Sequence, residues 1–146
     1  MSPRGAGPAD AYIRYYEALS PATLADLENV VTPDVRFRDP FNEVRGVEAY
    51  RRLLAKMFEA VPDVRFSVSH QAVDGDTCFL RWRCAGTLKA LGGKPWLVEG
   101  MSELRFGPDG RVREHIDHWD AAQQFYEHLP VIGGLLRFIR RRLSAH

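Results

Sequence analysis

The sequence is short of cysteine, of excess charge of either sign and of long apolar runs. Its 146 residues include two cysteines and 20 basic against 19 acidic residues, for a formal net charge of +1. A balanced chain has no overall field that would attract nucleic acid or an anionic membrane. The most apolar stretch, residues 129–139, is too short to span a bilayer and contains two glycines and an arginine. We therefore expect no nucleic-acid partner and no membrane span.

The two cysteines, Cys78 and Cys84, fall in one predicted strand. Six residues of strand separate their Cα atoms by about 20 Å at ~3.3 Å per residue, whereas a disulfide requires about 7 Å or less. Free thiols suit a reducing compartment, and residues 1–10 contain no apolar segment typical of a secretion signal. We expect a cytoplasmic protein.

Apolar residues make up 45% of the chain and aromatic residues 11%, which is ordinary for a globular domain. The spacing of apolar residues predicts a helix from Asp10 and a second short helix after Ser20-Pro21. A long amphipathic helix is predicted over residues 47–61, where Pro62 ends it. The sequence thus begins with helices.

Strand patterns dominate the rest of the chain. A short strand is predicted over residues 35–40, followed after the long helix by four antiparallel strands over residues 64–72, 77–87, 95–106 and 112–120. Helices followed by a run of strands indicate an α+β fold, not an alternating α/β fold. We assign residues 10–129 to this domain.

The end of the chain is predicted to form two helical pieces, residues 121–129 and 134–143, separated by Pro130. The second is basic and amphipathic, and it carries Arg137, Arg140, Arg141 and Arg142. Such a helix could lie on a membrane surface or bind acidic partners. More often it docks its apolar stripe on its own domain, and we expect this of residues 130–146.

Asp39 is the most informative single residue. Period-2 alternation places it on the same face as Val35 and Phe37, which would deliver a carboxylate into the core. Desolvation there would raise its pKa and make it a usable general base. Alternatively, Asp39 and Pro40 begin a turn in which the carboxylate caps backbone N–H groups. The spacing leaves both interpretations open.

Alternation also turns Trp82 and Ser102 toward the interior of neighbouring strands, and Phe58 lies on the apolar face of the long helix. These residues are candidates for ligand contact. Equally, Trp82 could be an ordinary core residue, and the Ser102 hydroxyl could be bonded to backbone.

Residues 115–120 form the densest cluster of ionisable groups. His115, Asp117 and Trp119 share one face of the strand, and the opposite face carries Ile116 and His118. Spacing does not decide which face is inside. No third residue at metal-ligand spacing accompanies the His-x-Asp pair, so we expect no metal. An acid–base pair and a solvated edge strand both remain possible.

The order of these elements resembles the NTF2-like superfamily, which includes ketosteroid isomerases, SnoaL-like polyketide cyclases and limonene epoxide hydrolases. The resemblance covers about residues 10–129. Its closest motifs are Arg14-Tyr15 and Asp39-Pro40, which stand at the separation found in ketosteroid isomerases. It implies a cone in which N-terminal helices pack on a strongly curved, mostly antiparallel sheet around an apolar pocket, with no cofactor.

The resemblance also implies roles for particular residues. Asp39 would abstract a proton next to a carbonyl, and Tyr15 would donate to the developing oxyanion. His115 and Asp117 would form a second proton-handling pair inside the pocket, with Trp119 beside them. Ser102 stands where the isomerases have a second carboxylic acid.

From these roles we expect an isomerase or cyclase for a small lipophilic carbonyl compound, which acts as a homodimer. The alternative is a non-catalytic ligand-binding or dimerisation module, because one fold can host either function.

Overall fold

The computed structural model describes residues 6–145. Its helices are α1 (Asp10–Glu17), α2 (Val47–Ala60), α3 (Ala121–Gln124) and α4 (Ile132–Leu143), with 3₁₀ helices at Pro21–Asn29, Lys89–Leu91 and Tyr126–His128. The strands are β1 (Val31–Arg38), β2 (Glu43–Arg45), β3 (Arg65–Asp74), β4 (Thr77–Leu88), β5 (Lys94–Phe106) and β6 (Val112–His118).

The six strands form one open mixed sheet in the order β2-β1-β6-β5-β4-β3. Strands β3 to β6 pair antiparallel in sequence order, as their patterns predict. Strand β1 returns to lie parallel to β6, and β2 pairs antiparallel with β1. The predicted α+β fold is confirmed.

The core lies between the helices and one face of the sheet. Strands β4 and β5 turn alternate side chains inward, so that Cys78, Leu80 and Leu104 are buried. From the helices, α1 contributes Ile13 and α2 contributes Tyr50, both fully buried. Burial of these side chains holds α1 and α2 over the sheet.

Two features near β1 differ from the sequence prediction. Strand β1 begins at Val31, four residues early, because Val31 pairs with Val112 before a break in register at Pro33 and Asp34. Proline has no N–H to donate to a ladder, and a bulge accommodates it. Residues 43–45, predicted as loop, form the short edge strand β2.

A second irregularity settles the orientation of β6. Arg105 of β5 pairs with Glu114, but the next residue, Phe106, pairs with Val112, so the ladder skips Arg113. The extra residue shifts the alternation by one position. Val112 and His115 are therefore both buried, although their odd separation would place them on opposite faces of a regular strand.

Helix α4 does not dock its apolar stripe on the domain, which corrects the expectation from its sequence. Its buried residue is Gly133, where a Cβ would overlap the backbone of Glu127. Arg140 Nε donates to Glu127 Oε1 at 2.7 Å, and Arg137 donates to the Glu127 carbonyl. Five of the six large apolar residues of α4 are exposed instead, and Leu136 is partly buried.

Among the described residues, no helix combines the length and the apolar character needed to cross a bilayer.

Candidate active site

A cavity of about 640 Å³ lies between α2 and the inner faces of the strands. Its wall is mostly apolar and rich in aromatic rings. The aromatic lining residues are Phe37, Phe41, Phe66, Trp82, Trp96, Trp119 and Phe125. The polar lining residues are Tyr16, Asp39, Asn42, Arg52, Lys56 and Asp117. Such a space, with few polar groups in an apolar wall, is typical of a site for a lipophilic small molecule.

The sequence-derived candidates divide into three groups in the structure. Asp39, Trp82, Asp117 and Trp119 line the cavity. Ser102 and His115 lie behind its wall, where they line a small pocket that shares Asp117 and Trp82 with the cavity. Phe58 and Tyr15 lie away from it: Phe58 packs in a core cluster.

Asp39 combines both interpretations drawn from its sequence. It follows β1 and caps a turn, because its Oδ1 accepts the N–H groups of Phe41 at 2.8 Å and Asn42 at 2.7 Å. Its other oxygen, Oδ2, has one long hydrogen bond, 3.4 Å from Asn42 Nδ2. Burial, with a smaller contribution from the negative charge of Asp117, raises the pKa of Asp39 above its ordinary value despite these donors.

Asp117 is the second carboxylate in the cavity wall and is held from behind. His115 Nε2 lies 2.6 Å from Asp117 Oδ1, and Ser102 Oγ lies 2.5 Å from the same oxygen. Trp82 Nε1 donates to Ser102 Oγ at 2.7 Å. Ser102 therefore bonds to side chains, not to backbone, and fixes both the indole and the carboxylate.

Three tyrosines extend this arrangement. Tyr12 Oη lies 2.6 Å from His115 Nδ1 and 2.7 Å from Tyr50 Oη, and Tyr50 contacts the Tyr16 hydroxyl in turn. Burial raises the pKa of all three phenols, so each carries its proton at neutral pH. Each phenol can therefore donate one hydrogen bond.

One proton arrangement satisfies every link of this chain. Tyr16 donates to Tyr50, Tyr50 to Tyr12, Tyr12 to His115 Nδ1, and His115 Nε2–H to Asp117. Both ends of the chain, Tyr16 and Asp117, line the cavity, and the three residues between them do not. Two separate points of the cavity wall are thus joined by a continuous hydrogen-bonded path.

The predicted position of Tyr15 is corrected by the structure. Its hydroxyl donates to the Thr23 carbonyl at 3.0 Å, toward the 3₁₀ helix Pro21–Asn29, and burial raises its pKa to about 12. Tyr16, one residue later, is rotated by about 100° around α1 and carries the phenol of the cavity wall. Helical spacing places both tyrosines on the apolar side, so it did not distinguish them.

Sequence reasoning also left Tyr50 among ordinary core residues. Its only signal was a hydroxyl in the middle of the apolar stripe of α2. Since a buried phenol needs a partner, that position was a reason to search for one.

Gly100 shapes the wall behind Trp82. These residues pair directly across β4 and β5, and a Cβ on Gly100 would lie 2.6 Å from the indole and 2.9 Å from the His118 carbonyl. The indole occupies the space that any side chain at position 100 would need.

Cys84, farther along β4, also lines the cavity. Burial raises the pKa of its thiol to about 12, so the thiol is neutral at physiological pH.

Within residues 6–145, no three His, Cys, Asp or Glu side chains are grouped so as to hold a metal ion.

The fold and this cavity define a class that sequence comparison also identifies. The family profile of the SnoaL-like domain matches residues 12–115, and the chain belongs to that family within the NTF2-like superfamily. The resemblance seen in the sequence is thereby confirmed.

Solved structures show the same fold at low identity. A candidate SnoaL-like polyketide cyclase from Jannaschia sp. CCS1 is 20% identical with a TM-score of 0.69, covering 80% of this chain and 87% of that one. An NTF2-like protein of unknown function from Burkholderia pseudomallei K96243 is 18% identical, with a TM-score of 0.69 and coverage of 81% and 95%.

A candidate isomerase of the SnoaL-like family from Agrobacterium tumefaciens strain C58 is 15% identical, with a TM-score of 0.63 and coverage of 77% and 94%. No curated protein matches the sequence. These likenesses establish the architecture, and the chemistry has to be argued from the side chains.

Proposed function

We propose that the protein catalyses proton transfer on a lipophilic carbonyl compound, as an isomerase or cyclase, with Asp39 as the general base. The observation that carries the proposal is the state of Asp39. It lines an apolar cavity, its Oδ2 is weakly bonded at 3.4 Å, and its pKa is raised. A carboxylate with these properties is a stronger base than one in water.

The reaction requires a donor as well as a base. Asp39 Oδ2 takes a proton from the carbon next to the carbonyl, and the C–H electron pair moves into the enolate, whose charge develops on oxygen. The Tyr16 hydroxyl, a neutral phenol in the same wall, would donate to that oxygen in place of its bond to Tyr50. We assign to Tyr16 the role that the sequence resemblance gave to Tyr15.

The enolate can then follow one of two courses. Return of the proton from Asp39 to a different carbon gives an isomer. Attack of the carbanion on a second carbonyl of the same molecule closes a ring, and the new alkoxide takes a proton. That proton is the one Asp39 holds, so the base is restored, and Asp117, backed by His115 and Ser102, is proposed as a second carboxylate that can accept a proton during the reaction. Trp82 and Trp119 would flank the bound compound.

The test measures exchange of carbon-bound hydrogen. Lipophilic ketones that raise the Tm of the protein would be incubated with it in deuterated water, and deuterium next to the carbonyl followed by mass spectrometry. Asp39→Asn should slow exchange by about 10²-fold or more, and Tyr16→Phe by about 10²-fold. Both variants should still bind the ketone.

Two matched variants control for general damage. Asp63 is another carboxylate that caps backbone, at Thr87, and Tyr15 is the neighbouring phenol outside the cavity. Asp63→Asn and Tyr15→Phe should leave the exchange rate unchanged. Ketone binding without exchange would favour the interpretation of the protein as a non-catalytic ligand-binding module. If no ketone bound, the proposed substrate class would be wrong.

The same proposal includes a homodimer in the cytoplasm. Leu97 and Met101 lie on the outer face of β5 and are about half exposed, which supports association through that face. Cys78 and Cys84 are free thiols, which suits a reducing compartment. Light scattering of the purified chain tests the dimer, and Leu97→Gln should shift it toward monomer.

A further inference from the structure

Helix α4 carries a mostly apolar surface that the described domain leaves largely exposed. Five of its six large apolar residues are between 45% and 82% exposed, and the sixth, Leu136, is partly buried; the exposed five are Ile132, Leu135, Phe138, Ile139 and Leu143. At 3.6 residues per turn these five occupy one arc of roughly 140° along the full length of the helix. An arc of this width is what an amphipathic helix normally buries.

The attachment of α4 keeps that arc turned outward. The helix touches the domain through Gly133 and through the bonds of Arg137 and Arg140 to the buried Glu127. Gly133 lies on the side of the helix opposite to the apolar arc. A glycine contact and charged hydrogen bonds therefore fix the helix, and the five exposed apolar side chains take no part in holding it.

The charge around the arc has one sign. Residues 131–146 contain four arginines and no acidic residue, whereas the remaining 130 residues contain 16 basic and 19 acidic residues. Arg142 lies within the arc, between Phe138 and Leu135, with its guanidinium 5.3 Å from the centre of the Phe138 ring. Residues 131–146 thus carry a local excess of four positive charges, while the rest of the chain is slightly acidic.

We propose that α4 binds the surface of an anionic lipid bilayer. In this arrangement the apolar arc enters the boundary between headgroups and acyl chains, and Arg141 and Arg142 extend to bond lipid phosphates. A second copy of the same helix fits less well, because it would bring Arg141 and Arg142 against the same two arginines of the partner. An anionic bilayer both buries the apolar side chains of the arc and pairs with the arginines.

The location of α4 gives this contact a consequence for the cavity. The short 3₁₀ helix Tyr126–His128 connects it to α3, and Tyr126 packs against Phe41, an exposed aromatic residue of the cavity wall. A bilayer held by α4 would therefore lie near the aromatic side of the cavity, where a lipophilic ligand could pass between the two.

The experiment is flotation of the full-length protein with phosphatidylcholine vesicles that contain about one-third phosphatidylglycerol, beside vesicles of phosphatidylcholine alone. We expect the protein to float with the anionic vesicles and to be released as salt rises to about 0.5 M. Arg141→Gln combined with Arg142→Gln should weaken binding about 30-fold, while leaving the Glu127 contacts in place. Leu135→Gln combined with Ile139→Gln should abolish it.

Two control variants distinguish binding through α4 from non-specific binding to vesicles. Lys89→Gln with Lys94→Gln removes two exposed charges elsewhere, and Val73→Gln removes an exposed apolar residue of β3. Both should bind vesicles like the wild type. Failure of the wild type to float, or equal binding by the α4 variants, would overturn the proposal. Self-association that disappears in the Leu135/Ile139 variant, without flotation, would assign the arc to a second copy.

Discussion

The two ends of the polar arrangement around the cavity are built in opposite ways. At the closed end, defined by Tyr12, Tyr50, Ser102 and His115, every side-chain hydroxyl and ring nitrogen has a partner within the chain. At the rim, defined by Asp39, Phe41 and Asn42, one carboxylate oxygen is weakly bonded and an aromatic ring is 44% exposed.

This difference in hydrogen bonding implies that the closed end contributes mainly to stability and the rim mainly to reactivity. Fully paired buried groups stabilise a fold and are expensive to disturb, whereas a partly satisfied carboxylate in an apolar wall destabilises the fold and is free to react. We therefore expect substitutions at the closed end to act mainly on stability, and those at the rim mainly on turnover.

The largest effect should come from His115→Leu. The ring is buried and bonded on both nitrogens, so its loss leaves Tyr12 and Asp117 without their shared partner inside the core. We expect the free energy of unfolding to fall by about 3 kcal/mol, as measured by urea denaturation. Asn42→Ala at the exposed rim is the comparison and should cost less than about 1 kcal/mol. Equal losses at the two positions would remove the distinction.

Tyr50→Phe should have the next largest effect. It deletes one oxygen and leaves the hydroxyls of Tyr12 and Tyr16 without the group that joins them. A loss of about 1–2 kcal/mol is expected by the same measurement. Tyr126→Phe removes the hydroxyl of a partly exposed tyrosine and should be neutral. A neutral Tyr50→Phe would show that the chain of phenols is not a unit.

The sequence predicted those features of the two ends that depend on local periodicity, and it did not predict those that depend on contacts between distant residues. Alternation correctly placed Trp82 and Ser102 on the inner face of the sheet, because a strand has a fixed period of two. For Asp39 the neighbouring residues suggested both a turn cap and an inward position, and its side chain caps the turn and lines the cavity, while its role as a base stays a prediction. The local pattern was sufficient to predict the direction of a side chain wherever that direction depends only on the strand or helix that carries it.

The rest depended on partners that are distant in sequence. His115 and Tyr12 are 103 residues apart, and no spacing rule joins them. The skipped Arg113 reversed the alternation of β6, and the choice between Tyr15 and Tyr16 depended on where the 3₁₀ helix and β6 lie around α1. Tertiary packing settles these points, and it was not available from periodicity.

The smallest expected effect is at the rim, in the contribution of Asp39 to the pH dependence of stability. The pKa of Asp39 is raised in the folded state, so the unfolded chain loses that proton at lower pH than the folded protein does. Stability contributed by this group is therefore lost as pH rises from the ordinary carboxyl value, about 4, toward the folded value.

Asp39→Asn should remove that loss and keep the turn, since an amide oxygen can still accept from Phe41 and Asn42. We expect its Tm to equal or slightly exceed that of the wild type near neutral pH, by less than about 1 kcal/mol in stability. Thermal unfolding of both proteins across the pH range checks this. A variant that is less stable at neutral pH than in acid, relative to the wild type, would contradict the sign.

Gly100 shows that the dimensions of a binding site can be set by an atom that is missing. Trp82 forms part of the cavity wall because its indole fits the space over Gly100, where a Cβ would lie 2.6 Å from the ring. A methyl group added there would push the indole inward from behind and shrink the cavity without altering any residue that meets the ligand. The volume of the cavity therefore depends on Gly100, a residue that is not itself part of the cavity wall.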